Sequence, residues 1–221
     1  IHIGSQLATL DPLEAAFEKI GALLAQLREA GHTITRVDLG GGLGVPYMAG
    51  ESFPSPAEYG AMVARVTREW NVQLVFEPGR VIAGNAGVLL TRVVRVKSGL
   101  SAPFVIVDAA MNDLARPALY GAWHDFEAVR DTSDRMVANI VGPICETGDT
   151  FATDRDCPAL VAGDLAVFRT AGAYGATMAS SYNSRGFVPE VLVSGDDFAV
   201  VADRIDAGAI MDAERVPEWL E

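Results

Sequence analysis

Residues 35–44 read TRVDLGGGLG and residues 72–80 read VQLVFEPGR. Each is a short run holding Val and Leu that ends in glycine or Pro-Gly, the pattern of a strand entering a loop. Between them, Ser55, Pro56 and Glu58 carry the capping-box spacing of a helix start, and a helix is expected to about Trp70. Before them, Asp11, Pro12 and Glu14 offer a cap, a first-turn proline and a second capping box. Leu13, Ala16, Phe17, Ile20, Leu23, Leu24 and Leu27 recur at the helical period, and Gly31 suits the C-cap, so a helix is predicted over 11–31. Helix, strand, glycine loop, helix, strand, loop is the alternation of a parallel α/β sheet or barrel. In such folds chemistry sits on the loops at the strands' C-terminal ends.

The texture changes near residues 86–88. The runs VLLTRVVRVK, FVIVDAAM, MVANIVGP, LAVFRTA and EVLVSGDDFAVVAD are rich in β-branched residues and split by Gly, Pro and Asp. No helix of comparable strength lies between them. Two domains are therefore expected: an α/β unit over 1–87, and a mostly antiparallel β domain over 88–221.

The chain has 221 residues, half of them hydrophobic, enough for a substantial core. Its formal net charge of −12 repels phosphate backbones and argues against nucleic acid as a partner. No apolar run approaches the length of a membrane span, and no charged-then-apolar leader opens the sequence. The two cysteines, Cys145 and Cys157, do not make a disulfide framework, so a reducing, cytoplasmic protein is expected. The three histidines, His2, His32 and His124, show no metal-ligand spacing, and no metal is expected. The opening IHIGSQ reads as the middle of a strand end, which leads to the expectation that further chain precedes it.

Several stretches could carry chemistry. The triple glycine at 40–42 allows close approach of backbone N–H groups to an anion, or makes a tight turn. FEPGR places Glu77 and Arg80 on one loop shaped by Pro78 and Gly79, and the arginine could fork onto a phosphate or carboxylate. DLARPALYGAWH (113–124) offers Arg116 and Tyr120 four apart, on one face of a helical turn. AGAYGATMASSYNSR (171–185) packs small residues around Tyr174. In VGPICETGDTFA (141–152), Cys145 precedes Glu146. Metal binding there lacks further ligands, and redox pairing lacks a Cys-x-x-Cys partner. A buried thiol or a catalytic acid remains, since an unperturbed thiol titrates near 8.5 and is mostly protonated at neutral pH.

As an ordered set, HIGSQ, DLGGGLGVPY, FEPGR with VIAGNAGVLLTRV, VDAAMNDLARPALYGAWH, GPICETGD and AGAYGATMASSYNSR cover nearly the whole chain. The set resembles the alanine-racemase-type class of pyridoxal-phosphate enzymes, and within it the diaminopimelate decarboxylase family. The resemblance implies the last part of a pyridoxal-phosphate-binding (β/α)8 barrel followed by a C-terminal β domain. It also implies a homodimer with shared active sites, and a small amino-acid substrate decarboxylated to L-lysine and CO2. His2 then matches an imidazole stacked on the cofactor ring, and Glu77 the carboxylate that keeps the ring nitrogen protonated. Ser5, the Gly40-Gly41-Gly42 loop and Arg80 match the cofactor's phosphate side, with Gly42 foremost, while Gly79 matches a further cofactor contact and Tyr174 a tyrosine that reaches the cofactor and substrate region. Arg80, Arg116, Tyr120, Glu146 and Tyr174 match substrate contacts. Cys145 matches the thiol that returns a proton to the decarboxylated carbon, and together with Glu146 would reach into the neighbouring subunit.

One requirement is unmet. Such an enzyme needs a lysine to hold its cofactor covalently. The only lysines here are Lys19, within the first helix, and Lys97, at a strand end. Neither matches the family's motif, so the catalytic lysine is expected on chain preceding Ile1. Two alternatives stay open: a decarboxylase of ornithine, lysine, arginine or carboxynorspermidine, and a non-catalytic homologue that dimerises with an active chain. An open half-barrel is also expected to fold poorly alone.

Overall fold

The structure is a computed structural model that describes residues 1–220. The described residues form two compact units, Ile1–Gly87 and a second that begins at Val88.

In the first unit, helix α1 (Asp11–Glu29) buries Leu13, Phe17 and Leu24. It ends at Glu29 rather than Gly31, and Ala30, not Gly31, is its C-cap residue. Gly31 takes φ +89°, its N–H bonds Arg28 and the N–H of His32 bonds Leu27, the paired bonds of a Schellman cap. The capping box expected at its start does not form. Leu10 is the N-cap, no side chain caps the turn, and the Glu14 carboxylate instead takes two bonds from Arg65, at 2.7 and 2.6 Å. A guanidinium on the neighbouring helix competes better for that carboxylate than one backbone N–H does.

Strand β1 (Arg36–Asp38) is followed by helix α2 (Pro56–Val66) and strand β2 (Gln73–Val75). The Ser55–Glu58 capping box at the head of α2 forms with both of its bonds. The helix stops at Val66 rather than running to Trp70, because the chain turns at Thr67 and folds the Trp70 indole into the core. β1 and β2 pair in parallel, Val37 opposite Leu74, so both point their C-terminal ends the same way. Phe17, Leu24, Leu39, Met62, Val63 and Trp70 form this unit's core. A short helix, α3 (Gly79–Ala83), follows β2.

The second unit is built on six strands: β3 (Leu89–Lys97), β4 (Phe104–Val107), β5 (Phe126–Ala128), β6 (Arg135–Val141), β7 (Thr150–Pro158) and β8 (Leu165–Phe168). Their order is β5-β8-β3-β4-β6-β7, with every neighbouring pair antiparallel except β4 and β6. Helix α4 (Arg116–Tyr120) lies between β4 and β5. The core centres on Val93, Val105, Val107, Leu114, Ile140 and Phe168, whose ring stacks at 4.8 Å on Phe126 and 4.5 Å on Phe151. Cys157 lies in β7; it is fully buried, and burial pushes its thiol's pKa up. A separate hairpin, β9 (Glu190–Ser194) and β10 (Asp197–Ala202), precedes helix α5 (Ala207–Met211), which the Asp206 side chain caps.

Candidate active site

The first group of site residues lies in the first unit, at the C-terminal ends of β1 and β2. The parallel pairing extends past both strands: Leu39 N–H bonds the Val75 carbonyl and Glu77 N–H bonds the Gly40 carbonyl, at 2.9 and 2.8 Å. This brings the glycine loop and FEPGR side by side. On the other flank, Leu7 N–H bonds the Gly42 carbonyl at 2.9 Å and seats the HIGSQ segment against the same loop. The loop has no room for side chains. A Cβ on Gly41 would meet the Glu77 carbonyl oxygen, and one on Gly42, at φ +112°, would meet that of Gly4.

Arg80 joins the three motifs. Its Nε and Nη2 donate to the Ser5 hydroxyl at 3.3 and 3.2 Å, and its Nη1 donates to the Tyr47 hydroxyl. Nothing in the sequence around Tyr47 signals a role for it; only the folded chain shows that it holds Arg80. Gln6 is a second such residue. Its amide donates to the Val45 carbonyl and accepts from the Val45 N–H, which staples HIGSQ to the glycine loop. His2 and Glu77 are exposed. Gly40–Leu43, Tyr59, Phe76, Gly79 and Arg80 border a cleft of about 180 Å³. The cleft is mostly apolar, but at its edge the Arg80 guanidinium, the Ser5 hydroxyl bonded to it and the bare glycine backbone offer donors that fit an anionic group such as a phosphate.

The second group lies in the second unit, on three loops. Cys145 and Glu146 sit exposed on the tight turn between β6 and β7. Asp149, 2% exposed, fixes that turn. One carboxylate oxygen accepts from Ile144 N–H and the other from Met111 N–H, both at 2.7 Å. Burial raises the Asp149 pKa, against the pull of these two bonds and of the Arg185 charge. Gly142 is required beside it, since a Cβ there would collide with the carboxylate.

The loop after β8 reaches the same turn. Tyr182 donates its hydroxyl to Glu146 at 3.1 Å, which raises the phenol's pKa. Asn112 and Ser180 exchange two bonds of 3.0 Å, and Arg185 bonds the Asp108 carbonyl at 2.7 Å and approaches Asp113 at 3.6 Å. Burial raises the Asp113 pKa. Thus residues 108–113, 142–149 and 180–185 converge. Tyr174, on that loop, adopts φ +63° and is partly exposed.

Arg116 and Tyr120 do share α4, but not a common surface. Arg116 is 8% exposed, with Nη1 2.9 Å from His124 Nε2, whereas Tyr120 is 68% exposed. Lys19 and Lys97 are both exposed, on α1 and at the end of β3. Among the described residues, no cluster of His, Cys, Asp and Glu could hold a metal ion, and no helix is long and apolar enough to cross a membrane.

The family model for the pyridoxal-dependent decarboxylase C-terminal sheet domain matches residues 11–172. Diaminopimelate decarboxylase of Zymomonas mobilis is 52% identical over 220 residues, which are 99% of this chain and 52% of that protein. Diaminopimelate decarboxylase of M. jannaschii, solved with L-lysine, superposes with a TM-score of 0.94 at 32% identity, over all of this chain and 52% of that one. The Helicobacter pylori enzyme, also solved with L-lysine, gives a TM-score of 0.89 at 35% identity, over 96% of this chain and 52% of that one. The chain thus spans about half the length of the curated relatives it matches.

Proposed function

We infer the function from one premise: the chain belongs to the pyridoxal-dependent decarboxylase family. As part of its whole protein, it serves the decarboxylation of meso-2,6-diaminopimelate to L-lysine and CO2. The observation that carries this reading is the 52% identity to a diaminopimelate decarboxylase over 99% of the chain. The first unit is then the last part of the (β/α)8 barrel and the second the C-terminal β domain of a cytoplasmic homodimer. Two free thiols suit a reducing compartment.

Pyridoxal phosphate, when bound, supplies an electron sink for the pair left behind by CO2. The bare backbone of Gly40, Gly41 and Gly42, the Ser5 hydroxyl and the Arg80 guanidinium suit its phosphate, and the family resemblance assigns Gly79 and Tyr174 as further cofactor contacts. Glu77, exposed at a strand end, suits the ring nitrogen as an acceptor, and keeping that nitrogen protonated strengthens the sink. His2 suits the ring face. The family resemblance assigns Arg80, Arg116 and Tyr120 as substrate contacts; the arginines suit a carboxylate, and Glu146 is an acceptor for an ammonium. Cys145, exposed on a turn that Asp149 holds rigid, delivers a proton to the carbon that lost CO2. Cys145 and Glu146 act in this way on the cofactor held by the neighbouring subunit.

The full-length protein loaded with pyridoxal phosphate should release CO2 and L-lysine from meso-diaminopimelate. Release from ornithine or arginine with none from diaminopimelate would move the assignment to another substrate. No release from any of them, with cofactor bound, would favour the non-catalytic partner.

A further inference from the structure

Arg116 is held by a device that the reading above does not use. Its Nη1 lies 2.9 Å from His124 Nε2, and both residues are buried, at 8% and 3% exposure. The other ring nitrogen, Nδ1, lies 2.8 Å from the Arg169 carbonyl oxygen. A carbonyl only accepts, so Nδ1 carries the proton. A neutral imidazole then presents a lone pair at Nε2, and a guanidinium only donates. The two contacts therefore specify one tautomer, with the acceptor aimed at Arg116.

The surroundings fix the ring as well. α4 ends at Gly121, whose φ of +59° turns the chain, and the His124 ring then lies within hydrogen-bond reach of Arg116. The His124 carbonyl accepts from Arg155 Nη1 at 3.0 Å, and the Arg155 guanidinium lies 3.2 Å from the centre of the Trp123 ring. Backbone and ring are thus anchored independently. In this arrangement His124 accepts from Arg116 as a neutral imidazole, and so fixes the orientation of the guanidinium.

We propose that His124 is a positioning residue that orients the Arg116 guanidinium toward the carboxylate of the amino-acid substrate; this rests on the reading of Arg116 as a substrate contact. Its chemistry separates it from a merely structural histidine. Asparagine keeps only the Nδ1-side donor to Arg169, whereas glutamine can place an acceptor near the Nε2 position.

The test uses the full-length holoenzyme and measures, by calorimetry, binding of L-lysine and of 1,5-diaminopentane, which lacks the carboxylate. H124N should weaken L-lysine about tenfold, the loss expected when a charge-assisted grip is misaligned. It should leave 1,5-diaminopentane and cofactor content unchanged, and H124Q should recover most of the loss. In an R116A background, H124N should add nothing further. Equal weakening of both ligands, a failure of glutamine to recover binding, or no effect of H124N while R116A does weaken L-lysine would each overturn the role of His124. If R116A itself leaves L-lysine binding intact, the reading of Arg116 fails and the role of His124 falls with it.

Discussion

Asp149 shows how one buried side chain can set the turn that carries Cys145 and Glu146. Its two oxygens satisfy two backbone N–H groups from different segments, so Asp149→Asn must leave one of them facing an amide NH2. The expected cost is roughly 1–3 kcal/mol at neutral pH, read from chemical denaturation of the full-length protein. Activity should fall with it, because Cys145 and Glu146 ride on the same turn. The pH dependence follows from the raised folded-state pKa of Asp149. A carboxyl that binds its proton more tightly when folded costs stability while ionised, and that cost is relieved as pH falls through the folded value. The Asn variant lacks this relief, so its deficit should widen, not narrow, as pH falls into the carboxylate range. Gly42 makes a sharper case. Its φ of +112° and the Gly4 carbonyl leave no place for a Cβ, so Gly42→Ala should reduce pyridoxal-phosphate retention, measured by absorbance after gel filtration. Retention at the wild-type level would remove the glycine loop from the phosphate side.

At the scale of elements, the structure separates what local sequence decides from what tertiary contacts decide. The Ser55–Glu58 box forms because both partners sit within one turn and nothing nearby competes for them. Ser55→Ala should cost about 1 kcal/mol in thermal or chemical unfolding. The same spacing at Asp11 and Glu14 gives no box, because Arg65, fifty-one residues on, takes the carboxylate. Strand β7 was not legible either. Its sequence, TFATDRDCP, carries charged residues, takes φ +45° at Asp154 and shifts register against β6, so it has no clean alternation. β5 has only three residues, too few for a periodic signal, and is specified by its pairing with β8. The long strand β3 and helix α1 were readable because their patterns repeat over enough residues to exceed local noise.

For the whole molecule, the candidate residues that the sequence proposes lie inside short motifs: Ser5, the glycines, Glu77, Arg80, Cys145 and Glu146. Those it does not propose are their supports. Tyr47, Gln6, Asp149, Tyr182 and His124 matter through hydrogen bonds to residues distant in sequence, or through a tautomer set by a carbonyl 45 residues away. No spacing rule encodes such contacts. The proposed sharing of the site between subunits makes a prediction of its own. Glu77→Ala and Cys145→Ala homodimers should each be nearly inactive, and mixing them should restore about a quarter of wild-type activity, since half the random dimers then hold one intact site. Sites complete within one subunit would show no recovery. The most direct measurement is the reaction of the full-length protein and its Cys145→Ala variant with meso-diaminopimelate, following CO2 and L-lysine together. The expected result is one L-lysine per CO2 for the wild type. For the variant, it is a rate lower by about 100-fold or more with cofactor content unchanged, as for loss of a general acid. A variant that forms L-lysine at the wild-type rate, or a wild type that forms none, would contradict the account.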